Sequence, residues 1–210
     1  LTVLETVLGI DNIIFVAIIA ERVQAKSRAK ARQLGLTLAV GTRILLLFSI
    51  VWIMRLTEQL FEVFGHGVSG KDLILLTGGL FLLYKATHEI HDKLEGETPD
   101  DSKSGGASSF ASVIVQILVL DIVFSIDSVV TAVGLAEDLG VMVIAVLISG
   151  LIMIISANPI SLFVEAHPTV RMLALAFLLL IGMALVAEGM GQHIPKGYIY
   201  FAMGFSVLVE

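Results

Sequence analysis

Four acidic residues lie inside stretches that are otherwise hydrophobic enough for a membrane. Glu5 and Asp11 occur in "LETVLGIDNIIF", and Asp121 and Asp127 occur in "LDIVFSIDSVV". An ionised aspartate at the centre of a spanning helix costs about 2.5–3.5 kcal/mol, so such a residue faces water or the protein interior and has partners. Carboxylate oxygens are hard ligands that suit Mg²⁺, Ca²⁺ or Mn²⁺ and argue against copper(I). The four acids therefore indicate a site for a divalent cation.

The two acidic stretches are related as copies. A shift of 116 residues aligns 3–21 with 119–137, and seven positions of this alignment are identical. Chance similarity between apolar helices does not place acids in register, so the pattern indicates a duplication. The aligned polar pairs are Glu5 with Asp121, Asp11 with Asp127, and Asn12 with Ser128.

The predicted metal site centres on Asp11 and Asp127, which we expect to face each other across a pseudo-twofold axis near the bilayer midplane. Asn12 and Ser128 follow them directly and offer further oxygen ligands. The partner acids are expected to be secondary ligands, proton carriers or counter-ions. The complete set of candidates for the metal site is Asp11, Asp127, Asn12, Ser128, Glu5 and Asp121.

Both acid pairs have a spacing of six residues. On a regular helix this separates the two carboxyls by about 120° around the axis and about 9 Å along it. One acid of each pair can then face the shared axis while the other faces elsewhere. Gly9 and Ser125 precede the two aspartates by two residues, where a local unwinding would expose carbonyl ligands.

Two cations are predicted to lie within membrane segments and to support the acids. Arg43 occurs in "VGTRILLLF" and Lys85 in "FLLYKATHEIH". Their role is open between structural ion pairing and direct participation, and a packing role for the acids themselves is also open. Four acids and two bases leave about two negative charges, which a divalent cation or two protons would neutralise.

Several weaker features have a structural and a functional interpretation. Asn158 and Pro159 in "SANPISLF" favour a kink in a packed helix, although Asn158 could also contact the ion. The triad His88, Glu89 and His91 resembles a metal site but is more typical of a solvated helix end. Glu188 lies near another helix end, and glycines are expected to permit close helix packing, namely Gly78, Gly79 and Gly182.

Composition sets the class of protein. The chain is 210 residues long, 57% hydrophobic and 15% charged, whereas a soluble domain is nearer half apolar and a quarter charged. Cysteine is absent, which excludes disulfides and thiolate sites. A net charge of −6 with a single basic cluster argues against nucleic-acid binding. Because the chain begins at Leu1 and ends in apolar sequence, we expect further helices or domains in the full-length protein.

We predict an all-α polytopic membrane protein with about seven transmembrane helices, arranged as two inverted three-helix repeats plus one extra helix. The repeats are predicted at 1–91 and 110–190, joined by a flexible loop at 92–109. An additional, truncated transmembrane helix is predicted at 191–210. The predicted membrane segments lie at about 1–21, 34–56, 72–91, 110–136, 139–164, 169–190 and 197–210.

Positively charged loop residues predict the orientation. Eight lysines and arginines follow the first, third and fifth segments, against three on the opposite side. Cytoplasmic loops carry the excess of such residues, so the loop "ERVQAKSRAKARQ" is predicted to be cytoplasmic. The eight are Arg22, Lys26, Arg28, Lys30, Arg32, Lys93, Lys103 and Arg171, and the three are Arg55, Lys71 and Lys196.

The motifs "ETVLGIDNIIF" and "DIVFSIDSVV", with "GTRILLLFSI" between them, resemble the TerC family of integral membrane proteins over essentially the whole chain. The similarity is greatest to the bacterial branch of YgdQ- and YoaE-type proteins. The resemblance implies a link to the LysE-like transporter superfamily, to manganese export and, through the family's name, to tellurite resistance. It places the family's acidic motif on Glu5, Asp11 and Asn12, and on Asp121, Asp127 and Ser128, where serine replaces the second asparagine.

The expected function is therefore export of a divalent cation by alternating access in the cell inner membrane, with Mn²⁺ as the ion that the resemblance implies. Mn²⁺ would be cargo, with no prosthetic group and no enzymatic activity expected. The expected partners are the metal ion and the lipid bilayer; a proton counter-flow and an oligomer are left open. One alternative is a membrane scaffold that assists metalation or metal-resistance complexes without transport. An intramembrane aspartyl protease is disfavoured because its tyrosine–aspartate and GxGD motifs are missing.

Overall fold

The structure, a computed structural model, describes residues 2–49, 53–54, 56–63, 66–95, 109–135 and 138–209. Seven helices and one two-stranded antiparallel hairpin make up this part of the chain. The helices are α1 (Thr2–Ala20), α2 (Ala25–Phe48), α3 (Gly70–Glu95), α4 (Phe110–Leu135), α5 (Leu139–Ala166), α6 (Pro168–Gly189) and α7 (Lys196–Val209). The strands are β1 (Gln59–Val63) and β2 (His66–Ser69), with Phe61 opposite Val68.

Five of the described helices are long and apolar enough to cross a membrane, which confirms an all-α membrane protein. They are α2, α3, α5, α6 and the Phe110–Val130 part of α4. Six of the seven predicted segments match helices to within a few residues. The exception is the second: it was predicted at 34–56, and the helix begins at Ala25.

The start of α2 corrects the prediction that "ERVQAKSRAKARQ" is a loop, whereas its cytoplasmic location stays a prediction. The "AKSRAKAR" stretch forms the first two turns of the helix. Alanine, lysine and arginine are among the strongest helix formers, so this polar stretch extends the helix although it interrupts the hydrophobic run. The hairpin β1–β2 was not predicted, and Arg55 and the greater part of the loop at 92–109 lie outside the described residues.

The chain forms two compact units, each of which combines parts of both sequence halves. The first unit comprises Leu1–Leu56 and Ala107–Phe163, so it contains α1, α2, α4 and nearly all of α5. The second comprises Thr57–Gly106 and Val164–Glu210, with the hairpin, α3, α6 and α7. Helices in equivalent places of the two predicted repeats thus belong to the same unit. The inverted orientation of the repeats stays a prediction.

In the first unit, α2 packs against α4, and α1 packs against both. An apolar cluster joins α2, α4 and α5 through Leu47, Ile53, Val129, Met142 and Val146. Both α1 and α4 are continuous, so the predicted unwinding at Gly9 and Ser125 is wrong for this conformation. Gly9 instead allows close packing, because a methyl group at that position would overlap the side chain of Met153.

In the second unit, α3 and α6 cross at glycines. A methyl group on Gly79 would lie 2.8 Å from the carbonyl oxygen of Gly182, and one on Gly182 would lie 3.1 Å from the carbonyl oxygen of Gly79. A third glycine, Gly189, approaches the backbone of Asp72 and Leu76 in the same way. Backbone approach of this kind is the usual basis of helix association in membranes. The prediction that Gly79 and Gly182 permit close helix packing is therefore confirmed.

The substitution Gly79→Ala is expected to destabilise the protein by about 1–3 kcal/mol, because the methyl group meets backbone atoms that cannot rotate away. Gly204→Ala in α7 is the matched control, since no atom lies within 4 Å of its added methyl group. The control should be neutral or up to about 1 kcal/mol more stable through helix propensity. Unfolding midpoints in detergent compare the two variants, and equal midpoints would contradict the glycine contact.

Candidate functional site

A polar face on α1 carries the first acidic motif. Glu5, Gly9 and Asn12 are spaced at i, i+4 and i+7, so they lie on one side of the helix, about 10.5 Å from end to end. Glu5 and Asn12 are 3% and 5% exposed. The backbone of Asp11 lies in α1 directly before Asn12, whereas its side chain is outside the described residues.

The second motif presents the same pattern on α4. Asp121, Ser125 and Ser128 again have i, i+4 and i+7 spacing, and all three are buried. Ser128 donates through Oγ to the carbonyl oxygen of Ser125 at 3.2 Å. The two polar faces therefore repeat an arrangement of acid, small residue and polar residue. This pattern is visible in the sequence and went unnoticed beside the six-residue spacing of the acids.

Arg43 of α2 joins the two equivalent acids. Its Nη1 lies 3.2 Å from Oε2 of Glu5, and its Nε lies 3.3 Å from Oδ1 of Asp121. All three side chains are at most 4% exposed. Of the roles left open by the sequence, the structure thus places Glu5 and Asp121 as counter-ions to Arg43. With both carboxylates ionised, one guanidinium would leave a net charge of −1 on this triad.

Asp121 accepts from four donors. Besides Arg43, the amide Nδ2 of Asn12 donates to Oδ1 at 3.2 Å. The hydroxyl groups of Thr42 and Ser125 donate to Oδ2 at 3.1 and 3.4 Å. Hydrogen bonds to a charged group contribute about 1.5–3 kcal/mol each and offset part of the cost of burying the carboxylate. Asn12 and Asp121 come from different copies of the motif, so the copies meet at this carboxylate.

Asp127 is buried in α4, with 2% of its surface exposed. It lies six residues after Asp121 and therefore about 120° around the helix from it. It is thus a second buried acid, on a different face of the same helix. Ser128 and Asn12, the other candidates that follow an aspartate, are equally buried.

A small cavity adjoins the carboxylate of Asp121. Its volume is about 10 Å³, close to the minimum that accommodates one water molecule. Asn12 and Asp121 supply its polar side chains, and helices α1, α2 and α4 supply the rest. The lining residues are Asn12, Phe15, Val16, Leu36, Ala39, Ile117 and Asp121. The site therefore has space for a species of water size next to hard oxygen atoms.

Within the described side chains, no three His, Cys, Asp or Glu residues come together to hold a metal ion. Asp11 is not among those side chains, so the predicted pair of Asp11 and Asp127 is not tested by this finding. The described groups that could ligate a hard cation are carboxylate, amide and hydroxyl oxygens. The metal assignment of the six candidate residues stays a prediction.

The other predicted candidates belong to the second unit. The ammonium group of Lys85 lies 5.8 Å from the ring centroid of Phe81, a cation–π distance. His88 and His91 are exposed and each lies one helical turn before an acid, with Nε2 3.8 Å from Asp92 and 3.5 Å from Glu95. These are the contacts of a solvated helix end.

Glu188 also forms surface ion-pair contacts. Its Oε1 lies 3.5 Å from Nζ of Lys71 and 4.0 Å from Nδ1 of His193. Exposed and partly exposed pairs of this kind contribute about 0–1 kcal/mol. They join this end of α6 to the start of α3 and to the segment after α6.

Two polar residues of the first unit make contacts that sequence reasoning missed. Thr42 donates to Asp121 and lies directly before Arg43. No motif in the sequence marks this threonine as a partner of an acid. Arg32 was counted with the loop cations, yet it is only 5% exposed. Its Nη1 donates to Oγ of Ser161 at 2.7 Å and its Nη2 donates to Oδ1 of Asn158 at 3.2 Å. Asn158 thus has the packing role that was favoured for it.

Comparison with known proteins agrees with this architecture. The family described as "Integral membrane protein TerC family" matches residues 1–210. A UPF0053 protein of Haemophilus influenzae is 55% identical over all of this chain, which covers 89% of that protein. The inner membrane protein YgdQ of Escherichia coli K12 is 52% identical, with 100% of this chain and 88% of YgdQ covered. No solved structure shows a significant match.

One relative is considerably longer than this chain. The inner membrane protein YoaE of Escherichia coli K12 is 52% identical over the whole of this chain, which spans only 40% of YoaE. YgdQ and YoaE are named inner membrane proteins, and five described helices can span a membrane, so the predicted multi-pass inner-membrane localisation is confirmed. The predicted family resemblance is likewise confirmed over 210 residues. This chain is a member of the TerC family of integral membrane proteins.

Proposed function

We propose that this protein transports divalent metal cations across the inner membrane, with Mn²⁺ as the preferred ion and export as the direction. The observation that carries the proposal is the buried bond between Asn12 and Asp121, which unites the two acidic motifs inside the first unit. Polar groups at this depth are costly and mark ion pathways in membrane proteins. A cluster shared by two copies of a motif is typical of transporters with repeated halves.

The proposed division of roles follows from the contacts. Glu5, Arg43 and Asp121 form an electrostatic support, since the guanidinium occupies one oxygen of each acid. Asp127 and Asp11, with Ser128 and Asn12, are the proposed ligands of the ion. Alternating access would expose these ligands first to one side of the membrane and then to the other. Protons are the proposed counter-ions, taken up by carboxylates as the metal leaves.

Mn²⁺ flux in proteoliposomes tests the proposal. Wild-type protein is reconstituted with an Mn²⁺-quenched dye inside the vesicles, and an inward Mn²⁺ gradient is applied. We expect quenching well above that of protein-free vesicles, with Mg²⁺ and Ca²⁺ competing more weakly. A pH-sensitive dye in parallel vesicles should report proton movement opposite to the metal.

The second candidate is a scaffold that assists metalation without moving ions. It is favoured by the buried ion pairs of Arg43 with Glu5 and Asp121, which would equally serve to fix helix packing. The same vesicles discriminate between the two, because a scaffold gives no flux under any metal or pH gradient. Absence of flux with correctly folded protein would therefore reject the transporter.

A further inference from the structure

The outward face of α2 changes from basic to apolar within one helical turn. Lys26 and Lys30 are exposed, and the next positions on this face are Leu34 and Leu38, which are 43% and 40% exposed. Leu45 and Phe48 continue the same side with 67% and 64% exposure. At about 100° per residue these six positions fall within about 120° of the helix circumference. They form one stripe with a basic end and a mainly apolar remainder, which also includes Thr37, whose hydroxyl donates to the carbonyl oxygen of Gln33 at 2.8 Å.

The opposite face of α2 fixes this stripe outward. Its residues are buried against the rest of the first unit, namely Ala31, Arg32, Gly35, Leu36, Ala39, Arg43 and Leu47. Arg32 bonds Ser161 and Asn158 of α5, and Arg43 bonds Glu5 and Asp121. The helix is thus anchored by two buried guanidinium groups, about 16 Å apart along the axis. Lys26 and Lys30 cannot turn inward without breaking these contacts.

The change from lysine to leucine indicates where the bilayer surface crosses α2. One turn, about 6 Å, separates Lys30 from Leu34 along the axis. A leucine stripe is stable in hydrocarbon, whereas lysine side chains extend their ammonium groups to the headgroup layer. The neighbouring Arg28 donates through Nε to the carbonyl oxygen of Val23 at 3.3 Å, so it contributes to the turn between α1 and α2.

We propose that Lys26 and Lys30 bind the phosphate headgroup of an anionic phospholipid whose acyl chain packs along Leu34 and Leu38. The positive charge of the two lysines favours an anionic ligand. The leucines that continue the stripe favour an anion that carries a hydrocarbon chain. An acidic protein segment or a free phosphate would bind the lysines alone and would gain no contact with the leucines. This binding site is independent of what the protein transports.

Native mass spectrometry of the purified full chain in neutral detergent tests the site. The protein is titrated with phosphatidylglycerol and, separately, with phosphatidylcholine of the same acyl chains. Each lysine near an anionic headgroup changes affinity about fivefold, so Lys30→Gln should weaken phosphatidylglycerol binding about fivefold. The double variant Lys26→Gln with Lys30→Gln should weaken it about thirtyfold, and arginine at both positions should preserve it.

Lys93→Gln is the matched control, because Lys93 is an exposed lysine near the end of α3 and lies outside the stripe. It should leave phosphatidylglycerol binding unchanged. Equal binding of both lipids, or unchanged binding by the double glutamine variant, would overturn the proposal. Competition by glycerol phosphate or by a polyglutamate peptide as effective as the lipid would also overturn it. Unfolding midpoints of all variants establish that the lysine substitutions leave the fold intact.

Discussion

Replacing Arg43 by methionine is expected to lower the free energy of unfolding by about 3–5 kcal/mol, because Glu5 and Asp121 would remain buried without their shared cation. Methionine keeps much of the volume of the arginine stem, so the loss reports charge more than packing. The measurement is thermal or denaturant-induced unfolding in detergent, followed by circular dichroism. Arg43→Lys should recover part of the loss, because an ammonium group keeps the positive charge. The recovery should be incomplete, because lysine lacks the planar fork with which arginine reaches both acids.

Two further variants decide whether the loss comes from the triad. Lys93→Met removes an exposed cation and should change stability by no more than about 0.5 kcal/mol. The triple variant Glu5→Gln, Arg43→Met, Asp121→Asn removes all three charges and should be more stable than Arg43→Met alone. If Arg43→Met unfolds at the wild-type midpoint, Arg43 does not stabilise these two acids.

Replacing Asp127 by asparagine is expected to reduce Mn²⁺ flux to that of protein-free vesicles while the protein stays folded. The change preserves shape and removes one negative charge from a side chain that is 2% exposed. Changes in residues that only support a metal ligand cost 10–100-fold in affinity or activity, so the loss of a ligand should cost at least about a hundredfold. Asp11→Asn should have the same effect, because the repeat pairs the two positions.

Asp92→Asn supplies the matched control for Asp127→Asn. Asp92 is an exposed acid of α3, with 43% of its side chain accessible, and lies outside the proposed ligands. Its variant should transport Mn²⁺ at the wild-type rate. Normal flux in folded Asp127→Asn protein would reject Asp127 as a ligand even if the wild-type protein transports Mn²⁺.

Helices in this protein are predictable wherever apolar runs determine them. The segments predicted at 139–164 and 169–190 correspond to α5 and α6 within two residues, since long hydrophobic stretches bounded by turns have few alternatives in a membrane. The start of α2 was not predictable from hydrophobicity, because Ala25 to Arg32 form helix through propensity and through burial of one face. The hairpin β1–β2 was not predicted either, because its strands are short and carry no strong alternation of apolar and polar residues.

The candidate site was identified from the sequence through the register of its acids. The shift of 116 residues places Glu5 on Asp121 and Asp11 on Asp127 without reference to any structure. The i, i+4, i+7 faces on α1 and α4 could also have been read from the same residues. Sequence could not decide between Arg43 and Lys85 as partners of the acids, because both are isolated cations in apolar segments.

The sequence by itself determined that this chain lies in a membrane, that its acids come in two matched sets and that it resembles the TerC family. Those properties depend on hydrophobicity, spacing and residue type, which the order of residues contains directly. The tertiary structure alone decided that Arg43 joins Glu5 to Asp121, that Thr42 and Ser125 complete the bonding of Asp121, and that Arg32 is buried. These contacts are settled by which helix faces meet, because a buried charge must find its partner across the packing interface.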